Sequence, residues 1–238
     1  MRDGLFCGAM RVAALVLAAG RGERLGAEVP KGLLPIAGRP LLARAIEGLV
    51  ACADIDVIVP VVPAAERTRC AALLRGMDRV AAPVAGGAER QDSMRAGLAA
   101  LPPDVEWVAV HDAARPLVRA ADVTRVVAAA RRHGAALLAV PVRDTLKRVS
   151  GGRVAETLPR AACWAAQTPQ VFRVELLREA LAKAEAEGFQ GTDDAQLVER
   201  LGVPVEVVEG DPSNLKITWP EDVELAEALL ARRSRGPA

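Results

Sequence analysis

The sequence predicts an α/β fold: a mainly parallel, twisted sheet flanked by helices and wound with right-handed crossovers. Three observations carry the prediction. Apolar runs of strand length alternate regularly with longer amphipathic stretches. Those stretches repeat apolar residues three and four positions apart, as helices packed on a sheet do. The 238 residues, 51% of them hydrophobic, suffice for one large domain with a full core and are short for two ordinary ones.

In chain order, residues 1–9 read as a loose extension, with Met10 an alternative start to Met1. "VAALVL" (12–17) is the first buried strand, and "PLLARAIEGLVAC" (40–52) the first helix. "DVIVPVV" (56–62), "RVAAPV" (79–84), "WVAV" (107–110) and "ALLAVPV" (136–142) are further strands. Helices at 64–76, 90–101 and 120–134 separate them. Beyond residue 142 the pattern changes. "DTLKRV" and "GRVAETL" flank a Ser-Gly-Gly turn and read as a hairpin standing off the main sheet, its apolar residues needing cover that a second subunit can supply. Helices at 174–188 and 192–202 follow, the second capped by Thr192 or Asp193. "VPVEVVEG" is a late strand and "PEDVELAEALLARR" (220–233) a terminal helix with Pro at its opening. The tail "SRGPA" is expected to fray.

Composition excludes several classes. A net charge of +1 gives no support to a nucleic-acid or membrane-surface binder, and 3% aromatic content without Tyr counts against base-stacking platforms. No apolar run is long enough to span a membrane. Cys7, Cys52, Cys70 and Cys163 are scattered, form no CxxC pair and lie far from His111 and His133, so they read as free thiols of a cytoplasmic protein.

Ligands of open α/β sheets bind beyond the C-terminal ends of the strands, so the loops at 18–31, 85–93, 111–116 and 143–147 are expected to build one site. Gly20, Gly22 and Gly26 are spaced one residue too long for the dinucleotide fingerprint, and "GAE" fails the Walker pattern. A nicotinamide-dependent dehydrogenase is therefore disfavoured. What remains is a loop whose amides at 18–22 can wrap a triphosphate, with Arg24 and Lys31 as cations. Arg24 serves equally well as a solvated surface charge. Asp112, ending a strand in "VHDAARP", either holds Mg²⁺ against phosphate oxygens or caps the next turn. In "GGAERQDSM", Gly86, Gly87, Arg90 and Ser93 lie where helix amides and a hydroxyl can hold ribose, base or phosphate, unless Asp92 or Ser93 merely caps the helix. Lys216 in "NLKIT" points to solvent from a strand or joins the other loops as a phosphate ligand. His111 has no serine partner and reads as structural.

Taken together, "LAAGRGERLG...PK", "GGAERQDSM", "VHDAARP", "PVRDTLKR", "QTPQVF", "TDDAQLVE" and "GDPSNLKIT" resemble the 2-C-methyl-D-erythritol 4-phosphate cytidylyltransferases, from about Val12 to the terminal helix. The resemblance implies a Rossmann-like nucleotidyltransferase fold. It also implies a homodimer formed through a protruding β-arm (143–162), and CMP transfer from CTP to methylerythritol phosphate with Mg²⁺. By motif position, Ala18, Ala19, Gly20 and Gly22 would contact CTP through their backbone, and Gly87, Ala88 and Ser93 would read the cytosine and its surroundings. Arg24 and Lys31 would neutralise the triphosphate, Asp112 would hold the metal, and Lys216 would touch the phosphate under attack. Arg115, Thr145, Arg160, Thr168 and Thr192 would hold the acceptor, Thr145 or Arg160 acting across the dimer. Two positions depart from the pattern: Leu17 replaces a common proline and Gly32 a common glutamine, and neither removes a charge. The same chemistry on another alditol phosphate, such as ribitol 5-phosphate, is the alternative. A non-catalytic nucleotide sensor would be expected to have lost Lys31, Asp112 or Lys216, and all three are present.

Overall fold

Strands buried on both faces need continuous apolar runs, and the first such run forms β1 (Arg11–Leu17), buried from Val12 to Leu17. The computed structural model describes residues 10–20, 22, 25–26 and 29–235. A small hairpin of β2 (Pro35–Ile36) and β3 (Arg39–Pro40) precedes α1 (Leu41–Val50). Then come β4 (Val57–Val62), α2 (Arg67–Leu73), β5 (Val84–Ala85), α3 (Arg90–Ala99), β6 (Val105–Asp112), α4 (Ala120–His133) and β7 (Ala135–Pro141). The hairpin strands β8 (Lys147–Ser150) and β9 (Arg153–Thr157) follow, then β10 (Trp164–Arg173) and α5 (Val174–Ala186). The chain continues through α6 (Asp194–Glu199), β11 (Glu206–Glu209) and α7 (Pro220–Ser234).

Seven strands form one sheet in the order β11-β7-β10-β6-β1-β4-β5. Within it only β10 runs antiparallel to its neighbours, so the sheet is mainly parallel, as the alternation predicts. Side chains of β1 alternate between two cores. Val12, Ala14 and Val16 pack with Leu42, Ile46, Val123 and Val126 of α1 and α4. Ala13, Leu15 and Leu17 pack with Met94, Leu98, Leu177 and Leu181 of α3 and α5. Leu17 is thus an ordinary core residue, whatever stands there in relatives. No helix among the described residues is long and apolar enough to cross a membrane.

Several expectations need correction. The strand expected at 79–84 is reduced to a bridge between Val80 and Ile58, and only Val84 and Ala85 pair with β4. Arg79 has φ +58°, which turns the chain, and Pro83 has no N–H to give a ladder. The helix expected at 64–76 opens as a 3₁₀ turn, Ala64–Glu66, before α2, and Gly76 at φ +81° turns the chain away. Asp193, not Thr192, caps α6, its Oδ1 accepting from the Gln196 N–H at 2.9 Å. "NLKIT" is a loop and not a strand. β10 has no counterpart in the sequence pattern: Gln167, Pro169 and Gln170 interrupt it, and its register shifts between Ala166 and Gln170. Both glutamines are buried and bonded, Gln170 to Asp193 Oδ2 (2.9 Å) and Gln167 to the Asp211 carbonyl (3.0 Å). The hairpin of β8 and β9 forms a separate two-stranded sheet, and every residue of both strands is exposed. The extension expected at 1–9 lies outside the described residues. α7 continues through Ser234, past the expected start of fraying.

Candidate active site

Strand order reverses beside β1, because β4 pairs with one edge and β6 with the other. A crevice is expected outside the carboxyl ends of strands at such a point. One is found there. Ala18, Ala19 and Gly20 line it from the loop after β1, with Lys31 a turn later. Gly87, Ala88, Arg90 and Ser93 line it from the start of α3, Asp112 from the end of β6, and Lys216 from the loop before α7.

Glycine is required where the loop after β1 meets the start of α3. A Cβ on Gly86 would stand 2.5 Å from Ala19 Cβ and 2.7 Å from Ser93 Oγ, and one on Gly87 would stand 2.3 Å from Asp92 Cβ. The Gly87 N–H donates to Ser93 Oγ (3.2 Å), and the Glu89 N–H donates to Asp92 Oδ2 (3.1 Å), so Ser93 and Asp92 both brace this helix start. Gly22, at φ +68°, lies against Lys31, where a Cβ would meet Lys31 Cβ at 2.6 Å. Gly32 faces no such constraint, since its Cβ would meet Ala18 Cβ at an ordinary 3.4 Å. Gly87→Ala is expected to raise the KM for a bound nucleotide by about tenfold with kcat little changed, since the clash displaces the loop rather than a charge. Steady-state kinetics check it.

Asp112 is the electrostatic centre of the crevice. Its Oδ2 accepts from Lys216 Nζ at 2.7 Å and its Oδ1 from Arg90 at 3.1 Å. Burial alone would raise its pKa, but Arg90 and Lys216, with Arg115 nearby, hold the carboxyl below the usual range and therefore ionised. Arg90 also grips the fully buried Asp194, through one very close contact and one of 2.8 Å. Burial would lower the Arg90 pKa, yet Asp194 and Asp112 raise it above the ordinary guanidinium value. Lys216 is aimed by its neighbours. Ile217 is buried beside Ile36 and Leu117, and its N–H donates to the Ala114 carbonyl (2.8 Å). Asn214, also buried, donates to the Thr168 carbonyl (3.0 Å).

Behind Asp112 runs a short polar relay. His111 Nε2 faces the Arg115 carbonyl at 3.1 Å and must carry the proton there. Nδ1 is then the acceptor for the Thr168 hydroxyl (3.0 Å), whose oxygen accepts the Asp112 N–H (3.0 Å). Burial pushes the His111 pKa down to about 4, so the ring is neutral near pH 7. An unfolded histidine titrates near 6.5, so the unfolded chain binds the extra proton first. This contribution to stability is full above about pH 6.5 and is lost toward pH 4, on the order of 3 kcal/mol. Denaturant melts are expected to show stability falling across that window, and His111→Gln to flatten the slope. Equal slopes would remove His111 from this role.

The other expected residues fall into three groups. Arg115 and Thr168 sit in the wall rather than the cavity: the Arg115 guanidinium donates to the carbonyls of Asn214 (2.8 Å) and Ala166 (3.0 Å). Thr145 and Arg160 are exposed at the base of the hairpin, where Arg160 donates to the Arg143 carbonyl (2.6 Å), and neither lines the crevice. Thr192 is exposed just ahead of α6, its N–H donating to Gln196 Oε1 at 2.8 Å. Arg24 lies outside the described residues. The sequence does not single out Asp194, because an Asp in the first turn of a helix ordinarily signals a helix start rather than a buried counter-ion.

A metal would find few protein ligands: among the described residues no group of three or more His, Cys, Asp or Glu side chains converges. Asp112 is ionised, and each of its oxygens keeps a second lone pair beside the bond to Lys216 or Arg90, so it can give one ligand to a magnesium ion otherwise held by phosphate oxygens and water.

Comparison with known proteins gives the family. The family model described as 2-C-methyl-D-erythritol 4-phosphate cytidylyltransferase matches residues 12–232. A protein of that name from Desulforamulus reducens is 47% identical over 227 residues, 94% of this chain and 97% of that one. Another from Symbiobacterium thermophilum is 48% identical over 225 residues, 94% of each. The crystal structure of the Thermus thermophilus enzyme of the same name superposes with a TM-score of 0.79 at 40% identity, covering 93% of this chain and 100% of that one.

Proposed function

The chain belongs to the 2-C-methyl-D-erythritol 4-phosphate cytidylyltransferase family, and from that premise we propose how its side chains divide the reaction. The enzyme transfers CMP from CTP to 2-C-methyl-D-erythritol 4-phosphate, releasing pyrophosphate and giving 4-diphosphocytidyl-2-C-methyl-D-erythritol for isoprenoid synthesis. The observation that carries the assignment of roles is the crevice that Lys31, Lys216, Asp112 and the glycine loops share.

An oxygen of the acceptor's phosphate attacks the α-phosphorus of CTP. The new P–O bond forms as the α–β bridging bond breaks, and pyrophosphate carries the electron pair away. The nucleophile is already an anion, so no general base is needed, in keeping with the neutral, internally bonded His111. The main barrier is repulsion and misorientation between two anions. Lys31 and Arg24 draw charge from the triphosphate, and Lys216 does so at the phosphate under attack. The backbone at Ala18, Ala19, Gly20 and Gly22, with Gly87, Ala88 and Ser93, holds the nucleotide. Asp112 would hold Mg²⁺, which when bound supplies further neutralisation of the triphosphate. Arg115, Thr168 and Thr192 serve the acceptor within one copy, and Thr145 or Arg160 reaches it across the dimer. Thr168 does so from within the wall, by fixing the Asp112 backbone.

Residues 1–238 act as one catalytic domain, with 143–162 as an arm that pairs two copies. What supports the arm is the exposed cross-strand pair Val149 and Val154, 59% and 61% accessible, and exposed Trp164 where the chain leaves the arm into β10. Replacing both valines by aspartate is expected to yield a monomer by sedimentation equilibrium and to lower acceptor turnover at least tenfold, a loss on the order of 1.4 kcal/mol. A dimer unaffected by both charges would remove the arm from the interface. Among the described residues Cys52, Cys70 and Cys163 are free thiols, which suits a reducing cytoplasm.

Phosphorus NMR tests the reaction: a diphosphate diester and free pyrophosphate should appear together, in equal amounts, only when CTP, methylerythritol phosphate and Mg²⁺ are all supplied. Pyrophosphate without the diester would mean hydrolysis and refute the transfer.

A further inference from the structure

We propose that Arg90 is a positioning residue for the transfer, acting through Asp112 to aim Lys216, and that the buried Asp194 is its anchor. The inference rests on the role given to Lys216 above. Four side chains of alternating charge form one chain from the protein interior to the crevice. Asp194, with no exposed surface, takes both terminal nitrogens of Arg90. Arg90 reaches Asp112 Oδ1 at 3.1 Å, and Asp112 Oδ2 faces Lys216 Nζ at 2.7 Å.

The bonding leaves Arg90 little to offer a phosphate. Its terminal nitrogens are committed to two carboxylates, so its charge serves the wall and not the substrate. What it does is select an oxygen. With Oδ1 held by Arg90 and the Asp112 N–H held by Thr168, Oδ2 is the oxygen left toward Lys216. A lysine at position 90 would bring one point charge and could not span both carboxylates in the same fork.

The chain also joins the two halves of the crevice. Arg90 opens α3, whose first turn packs on the nucleotide-side glycines, and Asp194 opens α6, two residues after Thr192. Two residues 104 positions apart thus tie the nucleotide side to the acceptor side.

The test is a double-mutant cycle on the full-length protein with CTP, Mg²⁺ and methylerythritol phosphate, read as pyrophosphate release. Arg90→Gln is made alone and in a Lys216→Ala background, with Asp194→Asn taken through the same cycle in case loss of Arg90 prevents folding. In the wild-type background each substitution should lower kcat by about ten- to a hundredfold and move the KM for CTP less than about threefold. In the Lys216→Ala background the same substitutions should cost less than about threefold, because the group they aim is gone. Arg90→Lys should rescue poorly. Equal losses in both backgrounds, a loss carried by the KM for CTP, or no loss would each overturn the proposal. An inactive wild type would instead overturn the reading of the reaction itself.

Discussion

Replacing Lys216 by alanine is expected to lower kcat by two to three orders of magnitude, about 2.7–4 kcal/mol at the transition state, while the KM for CTP changes a few-fold at most. The reason is where the charge sits. Lys216 reaches the crevice from the loop before α7, braced by buried Asn214 and Ile217, and rests there on Asp112. An ammonium held ready in that place is worth most when two phosphates approach, which happens only on the way to transfer. Loss of CTP affinity without loss of kcat would place Lys216 in nucleotide binding instead. An unchanged kcat would remove it from the mechanism.

Asp112→Asn should strike both activity and stability. The shapes match, but the amide cannot balance Lys216 and Arg90, and its NH₂ group donates where only acceptance is wanted. Breaking a buried ion pair commonly costs about 3–5 kcal/mol. The cost here should be nearer about 1–3 kcal/mol, because Lys216 can turn to solvent and Arg90 keeps Asp194. A fall in melting temperature should accompany a kcat loss of at least a hundredfold, roughly 2.7 kcal/mol. Full stability with lost activity would show that Lys216 and Arg90 do not depend on the Asp112 charge for their fold.

Much of the fold was legible because parallel strands announce themselves as apolar runs, and β1, β4, β6 and β7 do. β10 was not, because an antiparallel strand in mid-sheet that carries Gln167, Pro169 and Gln170 matches neither alternation nor a continuous run. Its glutamines bond to the loops that carry Asp193 and Asp211, a reason that exists only in three dimensions. The site shows the same division. Lys31, Asp112, Ser93 and Lys216 could be named from their motifs, and the structure places all four on one crevice. Which oxygen of Asp112 meets which cation could not, since it depends on Arg90 and Asp194 meeting across most of the chain. The resemblance names Thr168 among the residues that hold the acceptor, and it could not say that the hydroxyl bonds to His111 and the Asp112 N–H. A motif fixes that a hydroxyl is needed, and the neighbours decide what it touches.

Acceptor choice is the most direct test of the function assigned to this crevice. Pyrophosphate release from CTP and Mg²⁺ should be measured with methylerythritol phosphate, with ribitol 5-phosphate and with no acceptor. Release with methylerythritol phosphate, at least a hundredfold faster than with either alternative (roughly 2.7 kcal/mol of discrimination), is the expected result. Release with ribitol 5-phosphate and none with methylerythritol phosphate would contradict it.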